Sequence, residues 1–207
     1  MIVINLNFIN QSNDANNSQV IIFQKNASGP PVNDSVVAWK VITNCNPGWN
    51  HPFKFTAQIY VAAGDDWGNF SPQLPANNGD TFSVVNQTSG GALTYSGQGA
   101  DTQGIEVLNG VSSGTINANI FRDGRLLATK TNLVPGEKAL FRFTPTIWIS
   151  AVSQIEEGRV INPAILPQLI TEISLIGIKS ADIVMTGGGP GIESTPFVFL
   201  LENVVYA

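Results

Sequence analysis

Hydrophobic residues recur at every second position along much of this chain. Ile2, Ile4, Leu6 and Phe8 alternate with Asn5 and Asn7, which on an extended ribbon sends one row of side chains to each face. Runs rich in β-branched and aromatic residues follow at 19–24, 35–43, 53–61, 81–85, 92–95 and 105–108. Others lie at 115–121, 125–131, 139–143, 146–152, 171–176, 181–185 and 197–205. Such residues fit a pleated, half-buried surface. The pattern predicts about fourteen strands with little helix. Gly, Pro, Asn and Asp clusters separate the runs at the short spacing of stacked sheets, not of alternating strands and helices. The expected fold is all-β: an antiparallel β-sandwich with jelly-roll or immunoglobulin-like two-sheet packing.

Two turns are specific. Asp123-Gly124 sits between two apolar runs, and because both residues tolerate positive φ the pair predicts a tight hairpin. Leu133-Val134-Pro135-Gly136-Glu137 places Pro and then Gly as a type II turn requires. Residues 154–168, with Pro163 and Pro167, read as a loop with at most one helical turn. No internal repeat of fixed period is evident. The chain reads as a single β-sandwich domain over residues 1–207; if it divides, composition places the break at Gly110–Gly114.

Composition narrows the partners. Of 207 residues, 43% are hydrophobic and only 12% charged, so the chain can bury a core while presenting a polar, mostly uncharged surface. Ten basic against fifteen acidic residues leave a net charge of −5, which offers no footprint for a phosphate backbone. No apolar run is long enough for a membrane-spanning helix. The N-terminus alternates and lacks the plan of a secretory signal, so the expected location is the cytoplasm, or outside the cell by a non-classical route. Between Phe55 and Phe121 there is no Lys or Arg, while Asp65, Asp66, Asp80, Asp101 and Glu106 all fall there. Asp in turn chemistry accounts for such a bias.

The chemistry-bearing residues are few. Cys45 is the lone cysteine and His51 the lone histidine, which excludes an internal disulfide and the usual zinc sites. A Cys45–His51 dyad lacks any activating context. Asp65, Asp66, Asp80, Asp101, Glu106, Glu156 and Glu157 could supply a carboxylate pair for glycoside hydrolysis, but spacing sets no two at a working separation. The reading is therefore non-enzymatic, with no catalytic residues and no required cofactor.

The loop Gly64-Asp65-Asp66-Trp67-Gly68-Asn69-Phe70 carries the best ligand-binding candidates: Asp65, Asp66, Trp67, Asn69 and Phe70, with Trp49 and His51 as an adjacent set. Aromatic rings stack on the apolar face of a sugar while carboxylate and amide groups bond its hydroxyls. Asp65, Asp66 and Asn69 are also hard oxygen donors of the kind calcium takes. Gly187–Gly191 has the glycines of a phosphate loop without its Lys-Ser/Thr ending, and reads as a hairpin connection.

With few charges and terminal strands lacking Lys, edge-to-edge pairing is weakly guarded. The leading expectation is a protein that assembles with itself into a homo-oligomer or larger structure. The alternatives are a carbohydrate-binding module or lectin, with or without calcium, and a soluble pore-forming protein inserting a hairpin such as the one at Asp123-Gly124.

Overall fold

The structure, a computed structural model, describes residues 2–28, 35–161 and 170–207. It is nearly all-β. The strands are β1 (Val3–Asn10), β2 (Gln19–Phe23), β3 (Ser35–Val36), β4 (Lys40–Ile42), β5 (Asn50–Thr56), β6 (Ile59–Asp65), β7 (Leu74–Ala76), β8 (Asp80–Gln87) and β9 (Gly90–Gln98). They continue as β10 (Ile105–Asn109), β11 (Ile116–Arg122), β12 (Arg125–Leu133), β13 (Lys138–Phe141), β14 (Thr146–Val152), β15 (Thr171–Ser174), β16 (Ile178–Gly188) and β17 (Thr195–Tyr206). The one helical element among the described residues is a 3-10 turn at Gly191–Glu193. The expected loop over 154–168 is described only to residue 161; residues 162–169 lie outside the described residues.

The strands form four sheets in two compact units. Unit 1 comprises Met1–Gln24, Val37–Ala57 and Pro145–Ala207; unit 2 comprises Lys25–Val36 and Gln58–Thr144. Unit 1 holds the sheets β17-β16-β1-β5 and β15-β14-β2-β4. Unit 2 holds β13-β10-β8-β9 and β3-β12-β11-β6-β7. Neighbours pair antiparallel except β1 with β16 and β10 with β8. Gly110–Gly114 is the connection from β10 towards β11, inside unit 2.

Each unit has its own apolar interior. Leu6, Phe8, Ile21, Ile22, Ile149 and Ile183 are buried in unit 1; Val61, Phe82, Val107, Ile120, Leu127 and Phe141 are buried in unit 2. Side chains of this size stabilise by about 1.5–3 kcal/mol each when fully buried. The hairpin at Asp123-Gly124 has φ of 52° and 74° at its two tip residues. Its strands β11 and β12 lie in the interior of the five-stranded sheet.

The ladders reveal an internal repeat that keeps no fixed period along the sequence. Strands β1, β2 and β4–β9 recur in the same order as β10–β17, and every ladder of unit 1 has its counterpart in unit 2, which adds the β3–β12 ladder. Phe23 pairs with Trp148 and Ile22 with Ile149 in unit 1, as Phe121 pairs with Tyr60 and Ile120 with Val61 in unit 2. Phe8 stands opposite Ile183 and His51, as Val107 stands opposite Phe82 and Ala139. The repeat also surfaces in the sequence. Thr43-Asn44-Cys45-Asn46-Pro47-Gly48 matches Thr131-Asn132-Leu133-Val134-Pro135-Gly136, and Phe53-Lys54-Phe55-Thr56 matches Phe141-Arg142-Phe143-Thr144.

Local chemistry repeats with it. Asn44 and Asn132 are left-handed at φ 54° and 60°, Gly48 and Gly136 at 84° and 83°, conformations that Asn and Gly adopt with little strain. The Pro-Gly pairs make type II turns closed by Trp49 N–H to Asn46 O at 2.9 Å and Glu137 N–H to Val134 O at 3.0 Å. Asn10 and Asn109, both buried, pin these turns to the sheet. Their side-chain amides donate to Cys45 O at 2.6 Å and Leu133 O at 2.8 Å. Their backbone carbonyls accept from Gly48 N–H and Gly136 N–H.

Neither unit is built from one repeat. Unit 2 takes β6–β9 from the first and β10–β13 from the second, joined directly through residues 99–104. Unit 1 takes β1, β2, β4 and β5 from the first and β14–β17 from the second.

Candidate functional site

The loop 64–70 joins β6 to β7 and is tied together by Asp65. Its Oδ1 accepts the backbone N–H groups of Trp67 at 2.9 Å and Asn69 at 2.8 Å, and its Oδ2 accepts Asn69 Nδ2 at 2.8 Å. Asp65 N–H donates to Asn69 O at 3.0 Å, and Gly68 takes φ +84° at the tip. The side-chain amide of Asn69, followed by the backbone donors, holds the Asp65 carboxyl below the usual carboxylate range. This is an Asx-type turn, with the carboxylate doing a structural task.

The turn displays two rings. Trp67 is 90% and Phe70 is 70% exposed. The Phe70 ring lies against Gly64, where an added Cβ would meet it at 3.1 Å, so a larger residue at 64 would push the ring away. Asp66 Oδ2 accepts the Thr115 hydroxyl, which links the loop to the approach of β11. On the far side Asn86 Nδ2 donates to Ser112 Oγ at 2.9 Å, and Asn109 Nδ2 donates to Gly114 O at 3.2 Å.

These loops enclose a cleft of about 370 Å³ whose lining comes wholly from unit 2. Ala63, Gly64, Val84, Leu93, Val111 and Ile116 supply apolar wall; Asp65, Asp66, Asn69, Asn86, Ser113 and Thr115 supply polar groups; Trp67 and Phe70 supply the rings. Five of the expected ligand residues are thus brought to one place. Asn86, Gly91, Leu93 and the stretch 111–116 complete the cleft and were not legible as site residues, because they come from three distant segments with no motif of their own.

Trp49 and His51 lie in unit 1 and are not part of this lining. Trp49 follows the Pro47-Gly48 turn and is 61% exposed, while His51 stands on β5 opposite Phe8. Burial pushes the Cys45 thiol up, away from the thiolate that nucleophilic chemistry requires. Among the described residues no group of three or more His, Cys, Asp or Glu could hold a metal ion. Two N–H donors already occupy Asp65 Oδ1, so calcium at that atom would have to displace the contacts that shape the loop.

Other acidic residues of the 55–121 segment are also engaged. Asp101 pairs with Arg142, and Glu106 with Lys138 at 3.0 Å. Asp80 accepts Asn77 N–H at 2.8 Å and Gln98 Nε2 at 2.6 Å.

Unit 1 carries a second cleft, of about 340 Å³, at the corresponding place. Ala151 takes the position of Ala63. By ladder register Phe199 takes that of Leu93, and Phe197, two residues before it on β17, falls by count at that of Gly91. Where unit 2 leaves a glycine, unit 1 sets an aromatic ring.

A scan against family models, a search of curated proteins and a search of solved structures each found no match to this chain.

Proposed function

We propose that this protein is a non-enzymatic pair of β-sandwich modules that works by binding, and that the unit 2 cleft takes a neutral, hydroxyl-rich ligand of the saccharide class. One observation carries the reading: Trp67 and Phe70 are held outward on a hydrogen-bonded turn beside a cleft that mixes apolar wall with carboxylate, amide and hydroxyl groups. That is the surface a sugar ring asks for, an aromatic plane for its C–H face and short polar groups for its hydroxyls. The cleft volume suits one or two sugar rings.

A glycan array with and without chelator identifies the ligand, and calorimetry then measures it. Trp67→Ala is expected to weaken binding about tenfold, equivalent to ~1.4 kcal/mol, with folding unchanged because the ring is exposed. Gly91→Phe, which imports the unit 1 residue, is expected to block the cleft. Chelator should make no difference, since Asp65 is spent on its own loop. A silent array under both conditions, or full affinity in Trp67→Ala, overturns this reading.

A second reading, self-association, is favoured by β17. This strand is an edge of its sheet, twelve residues long, without Lys or Arg. Leu200 is 51% and Tyr206 70% exposed along it. Edges of this kind pair readily with another chain. The opposite terminal strand, β1, is paired on both sides and contributes no edge.

A further inference from the structure

Unit 1 differs from unit 2 in one covalent respect. In unit 2, residues 99–104 connect β9 to β10; the matching place in unit 1, between β17 and β1, is occupied by the two ends of the described chain. The hydrogen bonds persist across this difference: Ala207 N–H donates to Gly177 O at 2.8 Å, as Gly99 N–H donates to Gly79 O at 2.8 Å. Among the described residues the halves of unit 1 meet through non-covalent contacts, chief among them the parallel β1–β16 ladder, the antiparallel β2–β14 ladder and the core between them, with bridges at Asn13–Gly188 and Val37–Val160.

Neither half can stay alone in water. The N-terminal half contributes Leu6, Phe8, Ile21 and Phe55 to the core, and the C-terminal half Ile149, Ile173, Ile183 and Phe199. Each half needs a complement, and any copy of the chain carries one. The chain already makes such a junction between its own two repeats in unit 2.

Tethering decides which half can travel. The N-terminal half crosses to unit 2 after Gln24, returns at Val37 and leaves again after Ala57, and β3 is paired into the unit 2 sheet. Within residues 1–207 the C-terminal half is linked to unit 2 at one crossing, between Thr144 and Pro145, in a short connection from β13 to β14. Pro145 fixes its own φ and biases Thr144 before it towards extended backbone, which suits a hinge that opens.

We propose that residues 145–207 exchange between copies of this chain, the C-terminal half of one copy completing unit 1 of another. This deepens the self-association reading by naming the exchanged element. Because closed and exchanged forms make the same ladder contacts, their balance is set by protein concentration against the effective concentration of the tethered half, on the order of millimolar. Exchange requires opening of unit 1, so exchanged species form on concentrated refolding and persist when diluted.

Cysteines placed across the β1–β16 ladder read out which chain supplies each side. Asn7 and Asp182 are register partners whose side chains bond at 3.1 Å, and Asn5 and Ser180 form a second pair on the same ladder. The variants Asn7→Cys/Asp182→Cys and Asn5→Cys/Ser180→Cys are each made with Cys45→Ser, refolded under reducing conditions when dilute and when concentrated, then diluted and oxidised. The expected result is an intrachain cross-link after dilute refolding and a several-fold rise in covalent dimers and larger species after concentrated refolding. Intrachain cross-links at every concentration overturn exchange. If light scattering still finds oligomers, self-association through the β17 edge stands without exchange; a monomer throughout removes both. Near-ultraviolet circular dichroism selects variants that fold, and the second cysteine pair stands in should the first not do so.

Discussion

Asp65 would rank as a catalytic or metal-binding acid by residue type, yet it spends its oxygens on Trp67 and Asn69. Its pKa lies below the ordinary value because those donors favour the charged form. The loop is thus favoured in the folded state above the usual carboxylate range, and that contribution is lost as pH falls through the lowered pKa. Asn69→Ala removes the largest cause, so an NMR titration of the Asp65 carboxyl should move up towards the ordinary value; an unchanged titration would assign the shift elsewhere. Asn109 is a different kind of polar residue, fully buried, donating to Leu133 O and Gly114 O and accepting from Val111 N–H at 3.2 Å. Asn109→Ala leaves Leu133 O buried without its partner and should cost about 1–3 kcal/mol by the usual penalty for a buried unsatisfied group, measured by urea unfolding. Alternation along β10 puts Asn109 on the inward row with Ile105 and Val107, where an apolar residue is expected; nothing in the residue itself says which loop groups it pairs with.

At the scale of elements the alternation rule succeeded where one face is buried, as in β1, and failed where both faces are. Residues 35–43 read as one strand, but Val37, Ala38 and Trp39 are all buried in succession. The run breaks into β3 in unit 2 and β4 in unit 1. Strands of two or three residues, such as β3 and β7, are too short to display a period. Turn chemistry was more legible, because positive φ has so few residues to choose from: Asp123-Gly124 and Pro135-Gly136 form their turns where they stand. The loop 64–70 was found for the same reason. Its opposite wall was not, since Gly91 and Val111 become neighbours of Trp67 only after the sheets pair.

For the whole molecule, the all-β character was legible and the duplication was not. Ladder register tolerates exchange among Val, Ile, Phe and Trp, so the two repeats share structure with little sequence outside the Thr-Asn/Pro-Gly and Phe-x-Phe-Thr stretches. Their connections also differ in length, which blurs any fixed period. The duplication was further hidden by the way each compact unit mixes the two repeats, so that neither a unit nor a repeat is the other's boundary.

Unit 1 holds its seam open where unit 2 is continuous, and this bears on what a backbone cut would do. A protease site placed inside 99–104, once cleaved, would leave two peptides of similar length, each with strands of both kinds, gripping one another as the ends of unit 1 already do. The nicked protein should keep its circular dichroism spectrum and elute as one species, separating only in denaturant. Fragments that fall apart in plain buffer would mean that the covalent join in unit 2 supplies what shape alone supplies in unit 1.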